Sequence, residues 1–70
     1  MTPRLRIARL VEAYDLNKHG RLSVHKASKS VHIKLDGWDV ASMDEHNLGY
    51  NSAQLRKAEE LLGLSVDTEN

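Results

Sequence analysis

The 70-residue chain contains no cysteine, which excludes disulfide bonds, thiolate metal sites and cysteine nucleophiles. Small secreted domains usually depend on disulfides, so the absence favours a reducing compartment and we expect a cytoplasmic protein. No apolar run approaches the roughly 20 residues of a membrane span, and the basic residues near Met1 precede no long apolar segment of the kind found in signal peptides. We therefore expect no membrane partner.

An excess of charge of either sign is also lacking, because ten basic residues balance ten acidic ones. The two halves nevertheless differ. Residues 1–34 contain eight cations and two anions, whereas residues 35–70 contain two cations and eight anions. Two interpretations are open: the basic half meets a polyanion, or the two halves fold against each other and neutralise their charges.

Apolar residues recur at every third or fourth position in two stretches, and this spacing predicts amphipathic helices over residues 2–17 and 52–62. Thr2 followed by Pro3 suits the start of the first helix, since a threonine can cap free N–H groups and proline needs no donor there. Gly63 suits the end of the second helix.

Between the helices, apolar and polar residues alternate, and this period predicts three strands within residues 21–42. Asp36-Gly37 separates two alternating runs and suits a two-residue type I′ turn. The predicted apolar face comprises Leu22, Val24, Val31, Ile33, Leu35, Trp38 and Val40. The predicted polar face comprises Arg21, Ser23, His25, Ser30, His32, Lys34 and Asp39. Apolar residues follow no regular spacing over residues 43–51, which are therefore predicted to form a loop.

The order α-β-β-β-α predicts an α+β fold in which a three-stranded antiparallel sheet packs both helices on one face. Residues 1–64 form this single small domain in the prediction, and residues 65–70 form a flexible polar C-terminal tail. Tyr14 and Trp38 fall on the apolar stripes, so we expect both in the core rather than on a base-stacking surface.

The polar sheet face gathers residues suited to RNA cleavage. Histidine acts as acid and base near neutral pH, and breaking an RNA phosphodiester needs a base, an acid and cations for the phosphate. His32 with Lys34 and Arg21 supplies such a set. A solvated face whose residues are simply polar is the alternative interpretation.

Three segments, Lys18–Lys26, Ser30–Leu35 and Leu55–Ser65, together resemble HicA-type toxins, which are small ribonucleases on a double-stranded-RNA-binding-like fold. That family carries a Gly-Ser-His motif in its second strand, whereas here Val31 separates Ser30 from His32. The resemblance implies His32 as the catalytic residue and an antitoxin as protein partner.

These observations predict a small cytoplasmic RNA-binding protein of bacterial or phage type, with His32 as the catalytic residue. The residues predicted to bind nucleic acid are Arg21, His25, Lys29 and Lys34. We expect no cofactor and no metal ligand, since none of the four histidines has the spacing or acidic partner of a known ligand motif.

A non-enzymatic regulator or inhibitor of phage or plasmid type is the alternative function. Such a domain binds a protein, for example a host target, by strand-edge pairing or through its acidic half. In that case we expect Glu59 and Glu60 to take part in partner capture.

Two further motifs provide alternative interpretations of parts of the chain. The stretch from Asp15 to Lys26 matches several positions of a calcium-binding EF-hand loop, but Lys26 occupies the place of the bidentate glutamate. A helix-turn-helix within residues 23–43 would make a DNA-binding protein, although Asp36, Gly37 and Asp39 in its recognition helix oppose that interpretation.

Overall fold

The computed structural model describes residues 1–64. Its elements are α1 (Pro3–Leu16), β1 (Leu22–Lys26), β2 (Ser30–Leu35), β3 (Trp38–Asp44), β4 (Leu48–Tyr50) and α2 (Ser52–Leu61). The four strands form one antiparallel sheet in the order β1-β2-β3-β4. The predicted α+β class and antiparallel sheet are confirmed, but the sheet has four strands instead of three. The tail predicted for residues 65–70 lies outside the described residues.

The helix ends follow from local chemistry. Thr2 caps α1, since its hydroxyl oxygen accepts the Leu5 N–H at 3.2 Å. The side chain of Asn51 caps α2 by accepting the Gln54 N–H at 3.0 Å. Gly63 ends α2 with a φ of 74°, and the Leu64 N–H donates to the Glu59 carbonyl at 2.9 Å. This is the Schellman arrangement that a glycine after the helix favours.

Asp36 and Gly37 form the predicted two-residue turn between β2 and β3. Their φ angles are 53° and 84°, the positive values that a type I′ turn requires at both central positions. Leu35 and Trp38 are therefore cross-strand partners, and Lys34 lies opposite Asp39.

The predicted loop over residues 43–51 is wrong, because β3 continues to Asp44 and a fourth strand follows. Asp44 makes the connection: its carboxylate accepts the backbone N–H groups of His46 at 2.8 Å and Asn47 at 2.7 Å. The His46 and Asn47 N–H groups lower the pKa of Asp44 below its usual value. The Asp44 side chain holds this turn, and the residues around it show no regular alternation of apolar and polar residues. The sequence pattern therefore did not indicate β4.

A β-bulge interrupts the β2–β3 ladder. Ile33 lies opposite Ala41 while the next residue, Lys34, lies opposite Asp39, so Val40 is an extra residue on β3. Val40 and Ala41 are both buried although they are neighbours in sequence. Without the extra residue, strand alternation would place Asp39 and Ser42 on opposite faces. The bulge brings both to the face away from the core.

The core lies between the sheet and the two helices. Ile7 and Leu10 of α1 and Leu55 and Ala58 of α2 join one buried cluster with the sheet. The sheet residues of that cluster are Leu22, Val31, Ile33, Leu35, Val40 and Ala41.

The aromatic residues predicted for the core have different positions. Tyr14 is half-buried and packs against the cluster, and its hydroxyl donates to the Leu22 carbonyl at 3.4 Å. Trp38 is 70% exposed, so its prediction as a core anchor is wrong. Trp38 lies in the last residue pair beside the hairpin turn, and β3 fills the core with Val40 and Ala41 instead.

Charged residues connect the basic and acidic halves of the chain. Glu59, on α2, has a fully buried side chain. The Arg6 guanidinium donates to it twice, from Nη2 at 2.7 Å and from Nε at 3.1 Å, and Arg9 Nη2 lies 3.4 Å away. The interpretation that the halves neutralise each other is thereby supported. Glu59 cannot belong to an exposed acidic docking surface.

The two alternative motifs are not present. Residues 30–35, which would belong to the second helix of an EF-hand whose loop ends at Lys26, form β2 instead. Residues 23–43 contain strands rather than the two helices of a helix-turn-helix. Within residues 1–64 no helix has the length and apolar character needed to span a membrane.

Candidate functional site on the outer face of the sheet

We call the sheet surface opposite the helices the outer face. His25 on β1 lies directly opposite His32 on β2, and His32 lies opposite Ser42 on β3. Ser42 lies opposite Gly49 on β4. Because cross-strand partners project from the same face, these four residues form one row across the whole sheet.

Backbone hydrogen bonds set the spacing of the two histidines. The Ala27 N–H donates to the Ser30 carbonyl at 2.9 Å, and the His25–His32 pair lies two residues further along each strand. Hydrogen-bonded pairs alternate along an antiparallel ladder, so His25 and His32 form such a pair, with Cα atoms about 5.5 Å apart. The two histidine side chains therefore project from neighbouring positions on the outer face.

His32 has an acidic neighbour on β3. Its Nε2 atom lies 3.2 Å from Oδ1 of Asp39, and Lys34 Nζ lies 4.0 Å from the same oxygen. The side chains of His32 and Lys34 are about half exposed, and that of Asp39 is 77% exposed. When the Asp39 carboxylate accepts a hydrogen bond from Nε2–H, the Nδ1 atom of His32 carries the lone pair and can accept a proton.

A shallow groove of about 340 Å³ opens beside this pair. His32 of β2 and Asp39 of β3 line it together with Ser42 of β3, Gly49 and Tyr50 of β4, and Asn51, the N-cap of α2. A volume of this size is at the lower end of the range of small-ligand sites, which begins at about 300 Å³.

Two of the predicted nucleic-acid-binding residues lie apart from the histidines. Arg21 precedes β1, and its Nη2 atom donates to Asp36 Oδ2 at 2.6 Å. The hydrogen bond from Arg21 lowers the pKa of Asp36, and Asp36 raises the pKa of Arg21. Lys29 lies in the β1–β2 turn, 3.5 Å from Glu45 Oε2. His25, His32 and Lys34 share the outer face, whereas Arg21 and Lys29 lie at the ends of the sheet and face acids.

Sequence reasoning placed Asp39 on the polar face but did not select it as a site residue. Counting outward from the Asp36-Gly37 turn pairs Lys34 with Asp39 and could have indicated it. Ser42 and Gly49 were missed because their positions depend on the bulge at Val40 and on β4, which the hydrophobic period did not show.

Comparison with protein-family models, curated proteins and solved structures finds no match to this chain. No group of three His, Asp or Glu side chains in the described part of the chain converges as metal ligands do. The function is therefore inferred from the geometry of the outer face.

Proposed function

We propose that the protein binds RNA on the outer face of its sheet and cleaves it with His32, as a small cytoplasmic ribonuclease of the HicA type. The observation that carries the proposal is the 3.2 Å contact between His32 Nε2 and Asp39 Oδ1 on the face where His25 is the cross-strand partner of His32. This arrangement supplies an oriented base, a second imidazole and a neighbouring ammonium group.

In the proposed reaction, Nδ1 of His32 accepts the proton of an RNA 2′-hydroxyl. The 2′-oxygen forms a bond to phosphorus as the bond from phosphorus to the 5′-oxygen breaks. A protonated His25 gives its proton to the departing 5′-oxygen. The products are a 2′,3′-cyclic phosphate and a 5′-hydroxyl, and exchange of protons with water restores both imidazoles.

Lys34 and Asp39 have supporting roles in this proposal. The Lys34 ammonium offsets the charge that develops on the phosphate oxygens. Asp39 is a positioning residue, since it fixes the orientation and tautomer of His32 without touching RNA. Arg21, engaged by Asp36 at the turn, takes no part in the step.

The experiment compares RNA cleavage by wild-type protein, His32→Ala and His46→Ala. His46 is the matched control, because it is a histidine in the β3–β4 turn with an 86% exposed side chain. We expect His32→Ala to lose cleavage about 10²- to 10⁴-fold, the usual contribution of a general acid or base, and His46→Ala to keep it. Equal cleavage by wild type and His32→Ala would remove His32 from the mechanism.

Exposure of Trp38 favours a second candidate, a protein-binding regulator without catalysis. Trp38 is 70% exposed, and tryptophan is enriched among the residues that dominate binding at protein interfaces. An antitoxin or a host target would be its partner. Wild-type protein that neither cleaves nor binds RNA at low salt would favour this candidate over the ribonuclease.

A further inference from the structure

Gly49 on β4 is one of the residues that line the groove beside His32. Gly49 ends the row that runs through His25, His32 and Ser42, so no side chain stands on the outer face there. A Cβ atom built at Gly49 meets no atom within 4 Å, and its φ lies outside the left-handed range. The fold itself therefore tolerates a side chain at Gly49, a position that lines the groove.

Ser42 and Asn51 contribute polar groups to the lining of this groove. Ser42 presents a hydroxyl that both donates and accepts hydrogen bonds. The Asn51 Oδ1 atom accepts the Gln54 N–H at 3.0 Å, which leaves the Nδ2 amide as a donor at the groove. Donors and acceptors of this kind recognise the edges of an unpaired base. The groove adjoins His32, the residue at which the proposed cleavage takes place.

The charge of the outer face fits a single strand better than a duplex. Lys34 lies on this face, and its Nζ atom is 4.0 Å from Asp39 Oδ1. The cations at the ends of the sheet face acids, as the Arg21–Asp36 and Lys29–Glu45 pairs show. A duplex binder needs a row of phosphate contacts along two strands. One or two contacts suffice to hold a single nucleotide.

We infer that the groove lined by His32, Ser42, Gly49 and Asn51 binds one unpaired nucleotide of single-stranded RNA next to the phosphate that is cleaved. This inference rests on the proposed function. It adds the substrate class, because base-paired RNA cannot place a base against the sheet. It also assigns a role to Gly49 that the cleavage chemistry does not require.

The test measures the dissociation constants of a fluorescent eight-nucleotide RNA by anisotropy, alone and annealed to its complement. The RNA carries 2′-fluoro groups, which prevent attack by the 2′-oxygen during the measurement. Gly49→Val fills the groove, and Gly20→Val is the matched control, since Gly20 also has open space around its Cβ position but lies in the turn before β1. Ser42→Val is a second groove variant, and its β-branched side chain suits an exposed strand position.

We expect wild-type protein and Gly20→Val to bind the single strand at least about tenfold more tightly than the duplex. Gly49→Val and Ser42→Val should lose about tenfold in single-strand affinity while their melting temperatures stay near that of the wild type. The logarithm of the binding constant should fall with the logarithm of salt concentration with a slope of only about −1, as expected for one or two phosphate contacts.

Unchanged single-strand affinity in both groove variants, or equal affinity of the wild type for duplex and single strand, would overturn the nucleotide site and leave the proposed cleavage intact. Wild-type protein that binds neither RNA would overturn the proposed function together with this inference. The two failures are therefore distinct.

Discussion

Asp39 on β3 contacts His32 on the neighbouring strand β2, with Oδ1 and Nε2 3.2 Å apart. The turn before β3 and the bulge within β3 together place Asp39 on the outer face. The Asp36-Gly37 turn pairs Asp39 with Lys34, which lies two residues from His32 along β2. The extra residue Val40 then allows both Asp39 and Ser42 to share that face. Bulges commonly re-aim side chains beside functional sites.

Replacing Asp39 with Asn tests its positioning role. The amide keeps the shape of the side chain but removes the negative charge that favours a hydrogen bond from Nε2–H of His32. We expect kcat for RNA cleavage to fall by about tenfold or more with little change in KM, because a residue that orients the base affects the chemical step more than binding. A rise in KM at constant kcat would instead assign Asp39 to RNA binding.

Glu59→Gln tests the buried ion pair between the helices. The side chain of Glu59 is fully buried and receives two hydrogen bonds from Arg6. Removing one charge of a buried pair costs about 3 to 5 kcal/mol, a large share of the stability of a small domain. We expect urea denaturation to show this loss, while Glu60→Gln, at an exposed neighbouring position, stays within about 0.5 kcal/mol. Equal free energies of unfolding for the two variants would contradict the role of Glu59.

Acid should weaken the β3–β4 hairpin through Asp44. The N–H groups of His46 and Asn47 lower the pKa of this carboxyl in the folded state. The ionised form therefore stabilises the fold at neutral pH, and that stabilisation is lost as the pH falls below about 4, the usual aspartate range. Thermal melts between pH 7 and pH 2 should show a shallower loss of stability for Asp44→Asn than for the wild type. Parallel curves for the two proteins would contradict this assignment.

Asp36 should contribute in the same direction at the other end of β3. Its hydrogen bond from Arg21 lowers its pKa, so the contribution is again present at neutral pH and lost in acid. We expect Asp36→Asn to reduce the difference in melting temperature between pH 7 and pH 2. Sodium chloride should also reduce it in the wild type, because the pair is exposed and therefore screened. If salt left the difference in melting temperature between pH 7 and pH 2 unchanged in the wild type, a stabilising role of the Arg21–Asp36 pair would be contradicted.

The parts of the fold that were predicted from the sequence depend on local chemistry. Thr2 and Pro3 identify the start of α1, Gly63 the end of α2, and Asp36-Gly37 the turn between β2 and β3. Each of these residues acts within a few positions along the chain, so the sequence contains the whole signal. The alternation in β1 and β2 likewise predicted that His25 and His32 share a face.

The parts that were missed depend on contacts between distant segments. Nothing next to Val40 in the sequence marks it as an extra residue, because its register is set by β2. Trp38 lies beside the turn and is exposed although it falls on the apolar side of the alternation. The position of Gly49 next to Ser42 is known only once β4 has been placed. The acidic partners of Arg21 and Lys29 were also missed, because Asp36 and Glu45 come from the other half of the chain.

Analysis of the cleavage products tests the central claim most directly. An RNA oligonucleotide and its all-deoxy counterpart are incubated with the wild-type protein, and the fragments are identified by mass spectrometry. The account predicts fragments with 2′,3′-cyclic phosphate and 5′-hydroxyl ends from the RNA, intact DNA, and loss of these fragments in His32→Ala. Cleavage of the deoxy strand, or an undiminished yield of cyclic phosphate from His32→Ala, would contradict it.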